Sequence, residues 1–158
     1  MFVKNGISPV TRRVLPLVLM IVVCQGWGCT LKLISDYDDV TDKSVTELQK
    51  KVETFLVRME AAAGTSEGEV GSNKAFYDET KIALSSLRLR AEAIPNNKLT
   101  AEQISGLQDN IEVLRKLHES AGHGGLTKIL VEAPRTAFNT QFKAILTLEL
   151  AKKRGKSE

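Results

Sequence analysis

The chain has 158 residues, 42% hydrophobic, 26% charged and only 5% aromatic, which is one domain's worth of sequence with enough apolar content for a core. Its formal charge of +3 comes from Lys4, Arg12 and Arg13: residues 1–28 hold no acid, and the remainder carries as many basic as acidic groups, 19 of each. So balanced a body lacks the concentrated basic surface of a nucleic-acid-binding protein, and no nucleic-acid partner is expected.

The first 28 residues run from a basic segment through an apolar stretch to small residues, the order of a secretory signal. The stretch Val14 to Val23 contains Pro16 and no charge, and it is far short of the ~20 apolar residues that span a bilayer as a helix. Extending it to Leu33 would include Thr30 and Lys32, so a retained transmembrane anchor is the weaker alternative. Both cysteines, Cys24 and Cys29, fall at the end of this leader. A disulfide framework or a multi-cysteine zinc site in the body is therefore excluded.

The sequence Gly28-Cys29-Thr30 at the close of the apolar run resembles the signal of bacterial lipoproteins. The resemblance covers residues 1–30 and concerns location alone. It implies cleavage between Gly28 and Cys29, a diacylglycerol on the Cys29 sulfur and an acyl chain, such as palmitate, on the new amine. Several chains on one residue anchor firmly, because each buried CH₂ contributes ~0.8 kcal/mol. The sequence departs from the family pattern at Gly26, where Leu is usual, and at the bulky Trp27. Cys24 has Ile21 and Val22 suitably placed, but Val23 is a poor residue before a cut. An ordinary secretory signal with an incidental cysteine remains the alternative. Thr30, where inner-membrane lipoproteins usually carry Asp, implies the periplasmic face of the outer membrane. Arg12-Arg13 also invites comparison with the twin-arginine export signal, but Pro16 and Leu17 do not complete its pattern, so general export is preferred.

Residues 29–35 are expected to form a lipid-anchored tether, residues 36–154 a helical bundle and residues 155–158 a polar tail. Ser35 stands three before Asp38, a capping-box spacing. Val45, Leu48, Val52, Phe55, Met59 and Ala62 then recur at steps of three and four, predicting a helix from about Asp36 to Ala63. Gly64, Gly68 and Gly71 end it in a polar loop. A second helix is expected from about Asn73 to Ala93 on the stripe Phe76, Thr80, Ala83, Leu84, Leu87 and Ala91, with Pro95 fixing its end. The third takes Thr100 as N-cap with Gln103 three residues on, and Leu99 and Ile104 as a hydrophobic staple. Its seam is Ile104, Leu107, Ile111, Leu114, His118 and Ala121, stopped by Gly122, Gly124 and Gly125.

The last helix, Leu126 to Arg154, faces Leu130, Ala137, Phe138, Phe142, Ile145 and Leu148 to one side, widened by Ile129, Val131, Leu146 and Leu150. Pro134 should kink it or split off a short first piece. Lys152, Lys153 and Arg154 complement the negative end of its dipole, a reading preferred to membrane-surface binding. No stretch alternates with strand period. The expected fold is all-α, an antiparallel bundle of about four helices, and seams this regular also leave a homo-oligomer open.

Three near-motifs carry chemistry on paper. His118 and His123 approach a zinc-protease pair, but a five-residue spacing turns them ~140° apart on a helix. Asp36, Asp38, Asp42 and Glu47 occupy four positions of a calcium loop, yet Thr41 stands where the turn needs glycine, and Val40 takes a ligand place. Met59 and His118 lie on apolar seams that could aim at a haem iron, without a Cys-x-x-Cys-His or a second seam histidine. No activated nucleophile or phosphate loop can be assembled. The inventory therefore predicts no catalytic, metal or cofactor site. It points to a non-enzymatic envelope lipoprotein, held to the membrane through Cys29 and acting as scaffold or adaptor for an envelope protein; the alternative is a periplasmic ligand- or haem-binding bundle.

Overall fold

Apolar stripes at helical spacing must be buried against one another, and four of them close into a bundle. The computed structural model describes residues 34–155. The leader, Cys24, Gly28, Cys29, Thr30 and residues 156–158 of the tail lie outside the described residues. Four helices follow in order: α1 Asp39–Ala62, α2 Lys74–Ala93, α3 Lys98–Ala121 and α4 Lys128–Gly155. Short 3₁₀ turns, Ser66–Gly68, Gly71–Asn73 and Gly122–Gly124, sit in the two loops at one end. The described residues contain helices and no strand, so the fold is an all-α bundle of four helices.

The helices pack in a ring. The seams α2–α3, α1–α4 and α3–α4 are close, whereas α1–α2 is the looser one. The core takes Val45, Leu48, Val52, Phe55, Leu56 and Met59 from α1 and Phe76, Tyr77, Leu84, Leu87 and Ala91 from α2. Opposite stand Ile104, Leu107, Ile111 and Leu114 of α3 with Val131, Phe138, Phe142 and Ile145 of α4. Phe55 and Phe76 stack in parallel across the loose seam, centroids 3.6 Å apart, with Tyr77 edge-on to both. Aromatic contact thus supplies there what close backbone approach does not. Polar straps reinforce the rest: Arg135 reaches from α4 to Glu60 at 2.7 Å and Glu53 at 3.1 Å on α1. Gln141 Nε2 donates to the Gln103 carbonyl at 2.9 Å, across α3–α4.

Several boundaries differ from the sequence expectation. α1 starts at Asp39 with Asp38 as its N-cap, not at Asp36 after Ser35. Asp38 accepts from the Thr41 amide at 3.1 Å, and Arg90 at the end of α2 holds its carboxylate in that position. α3 begins at Lys98 with Asn97 as its N-cap, three residues before the expected cap, and Thr100 lies inside its first turn. The reason is burial: Thr100 is fully enclosed and its hydroxyl serves residues of α4, while the staple partner Leu99 is half exposed.

α4 runs unbroken through Pro134, so no first piece is split off. Gly155, assigned to the tail, is its last residue. Ala83, Ala137, Ile129 and Leu150 of the expected stripes are exposed. Tyr77 and Leu56, absent from them, are buried. α2 ends as expected, with Ile94 extended before Pro95.

Candidate functional site

Two polar assemblies stand at opposite ends of the ring. At the end with the glycine-bearing turns, His118 is completely buried on α3. Its Nε2 lies 2.7 Å from the Gly68 carbonyl, which can only accept, so Nε2 carries the hydrogen. Nδ1 is left with a lone pair, and the Tyr77 hydroxyl donates to it at 2.8 Å. Burial pushes the Tyr77 phenol well above its ordinary pKa, keeping it a donor.

The backbone comes close at the same end. The Gly64 amide donates to the Gly124 carbonyl at 3.0 Å. Gly125, at φ +61°, would place any Cβ 2.8 Å from the Gly68 carbonyl oxygen. A side chain at Gly68 would collide with the backbone carbonyl of Ala62. Glycine is required at both positions by space, and at Gly125 by conformation as well.

His123 is separate from this assembly: it lies on the surface, and its Nδ1 is 2.7 Å from Glu69 Oε1. The Glu69 hydrogen bond raises its pKa above 6.5, opposed only by slight desolvation. The two histidines therefore take different partners in different environments, as their spacing implied. His118 has both nitrogens engaged, so ligation of a haem iron would require breaking a buried hydrogen bond. Met59 is likewise buried among core side chains.

The other end gathers the approach to α1, the α2–α3 turn and the last turns of α4. Asp38 takes two hydrogen bonds of 2.7 Å from the Arg90 guanidinium and one of 2.6 Å from the Thr41 hydroxyl. These hold its carboxyl well below the usual carboxylate range, Arg90 contributing most. Asp42 accepts from the Tyr37 hydroxyl at 2.7 Å, and that bond is the main reason the phenol is pushed up to about 12. Asp39 pairs with Lys43 at 3.1 Å. Of the four acids that resembled a calcium loop, Asp38 is thus engaged by a guanidinium and a helix N-terminus, and Asp42 by a phenol. Among the described residues no group of three or more His, Cys, Asp or Glu side chains is placed to hold a metal ion.

Behind them is a cluster the sequence reading missed. Lys152, expected on the surface, is buried, and its Nζ donates to Glu149 Oε1 at 2.5 Å, Asn97 Oδ1 at 2.6 Å and Thr100 Oγ1 at 2.7 Å. Thr100 passes its own hydrogen to Glu149 at 3.1 Å. The Asn97 amide group donates to the Ala91 carbonyl, and its Oδ1 also accepts from the Ser35 hydroxyl at 2.9 Å. Every donor of the ammonium is used, as a buried cation demands.

The signal for this pair was present: Phe138, Phe142, Ile145, Glu149 and Lys152 continue one four-three-four-three stripe. Of the former basic cluster, Lys153 sits 5.2 Å over the Tyr37 ring and Arg154 stays exposed. A surface cavity of about 620 Å³ lies beside this end between Arg88 on α2 and Ala101 on α3. A second, of about 400 Å³, follows the loose α1–α2 seam between Leu48 and Leu87. Among the described residues no helix is long and apolar enough to cross a membrane. Comparison of the chain with protein-family models, curated proteins and solved structures gave no match.

Proposed function

We propose that the chain is a small lipoprotein of the bacterial cell envelope, its helical bundle held at the membrane by an acylated Cys29 and serving as a non-enzymatic scaffold or adaptor. The observation that carries this reading is Gly28-Cys29 closing a basic and then apolar leader. The body supports the non-enzymatic part by its polar chemistry. His118 and Lys152, two of the buried groups best suited to catalysis, spend their polar hydrogens and lone pairs on Tyr77, Gly68, Asn97, Thr100 and Glu149, and Glu149 Oε1 is taken up by Lys152 and Thr100 while its Oε2 is enclosed without a partner. A lipid anchor confines such a bundle to two dimensions and raises its local concentration around membrane-bound partners. Thr30 after the cysteine favours the periplasmic face of the outer membrane.

The test is the intact mass of the mature protein isolated from membranes, with Cys29→Ala and Cys24→Ala alongside. An N-terminus at Cys29 carrying diacylglycerol and acyl mass, abolished only by Cys29→Ala, is the expected result. An unmodified chain, or one cut elsewhere, overturns the anchor, and fractionation with inner-membrane markers overturns the outer-membrane assignment.

A further inference from the structure

The residues that approach α1 lie outside any helix, yet they are bound to the bundle at nearly every step. The Ser35 amide donates to the Asn96 carbonyl at 3.1 Å and its hydroxyl to Asn97, leaving the residue 5% exposed. Tyr37 is held by Asp42 below and Lys153 above. Asp38 is gripped by Arg90. The partners come from α1, α2, the α2–α3 turn and α4. A segment that merely connected a leader to a helix would be solvated and would need none of them.

The turn that receives Ser35 is itself shaped for the task. Asn96 adopts φ +59°, a left-handed conformation that asparagine tolerates better than other side-chain-bearing residues. Its neighbour Asn97 is held from behind by Lys152, which Glu149 neutralises. A buried ion pair adds little net stability compared with apolar packing, and its best-attested use is to select one arrangement over others. The arrangement selected here is the position of Asn97, and through it the course of the chain at Ser35.

We infer that residues 35–38 and the buried Asn97–Lys152–Glu149 cluster form a clasp that fixes where the N-terminal segment leaves the bundle. The clasp is independent of the lipid and of the lipoprotein reading.

Amide hydrogen exchange on the full chain, resolved by residue, tests the clasp. The Ser35 amide, though outside any helix, is expected to exchange roughly 100-fold more slowly than in a free peptide. Asn97→Ala should return it to within about 10-fold of the free rate while Leu56 and Ile111 keep their protection. Should Asn97→Ala not fold, Ser35→Ala decides alone: it keeps the amide, removes the hydroxyl, and should speed exchange at that position roughly 10-fold. A Ser35 amide exchanging freely in the wild type overturns the clasp, as does protection that survives the substitution in a folded variant. An unacylated chain with a protected Ser35 amide sinks the anchor alone, and an acylated chain with a free one sinks the clasp alone.

Discussion

Asp38 does with one carboxylate what the sequence alone could divide between two residues. The Ser35–Asp38 spacing fits a capping box, so Ser35 looks like the cap. Asp38 takes the role because Arg90, fifty-two residues away, meets it with two hydrogen bonds, and a partner that distant leaves no local trace. The pair also sets a pH dependence. The folded state lowers the Asp38 pKa, so the carboxylate's contribution is complete above about pH 4, near the unfolded value, and drains away as the pH falls toward the lower folded value. Partial exposure moderates its size. Asp38→Asn keeps a capping oxygen but loses the charge that Arg90 pairs with, and should cost up to about 1 kcal/mol at neutral pH, the range of a partly exposed ion pair. It should also flatten the loss of stability below pH 4. Urea midpoints across pH 2 to 7 check this, and wild-type and variant curves that run parallel would refute it.

At the scale of the elements, helical periodicity carries most of the information, and it fails where a stripe stops being apolar. The seams of α1 and α3 are nearly those read from spacing, because their inward positions are hydrophobic apart from Thr41, Thr100 and His118. The last helix is expected to run to Arg154, but its inward stripe is legible only to Leu148, since the next inward positions, Glu149 and Lys152, look like surface residues until Thr100 and Asn97 are brought against them. Thr100 misled for the same reason: a hydroxyl that fits an N-cap is instead needed within the first turn of the helix. Pro134 is the element whose local cost is most exposed. It is the seventh residue of α4 and has no amide hydrogen to give the Leu130 carbonyl, yet the helix continues through it. Pro134→Ala restores that donor at a half-buried position. It should stabilise the fold by about 1–3 kcal/mol, less the entropy regained by the unfolded chain. Equilibrium unfolding in urea reads the change directly; a lowered midpoint would mean that the proline ring's packing outweighs the missing hydrogen bond.

Across the whole molecule, the two ends of the bundle hold their helices by different means. At the glycine-bearing end, backbone approaches backbone and one imidazole spans the gap. At the other end, a full ion pair is enclosed where the approach to α1, the α2–α3 turn and α4 converge. Stability alone does not call for charges there, since burying them sets desolvation against their attraction. Lys152→Met leaves the Glu149 carboxylate enclosed without its cation and should cost about 3–5 kcal/mol. Replacing both, as Glu149→Leu with Lys152→Met, should recover most of that loss, because neither charge then remains to be desolvated. The clasp should not recover with it: Asn97 has lost the ammonium that positions it, so the Ser35 amide of the double variant should still exchange faster than wild type. Stability and the fixed course of the N-terminal segment would then separate in one protein, with urea midpoints reading the first and hydrogen exchange the second. If both return together, the ion pair serves only to fill the end of the core, and Asn97 is placed by the turn itself.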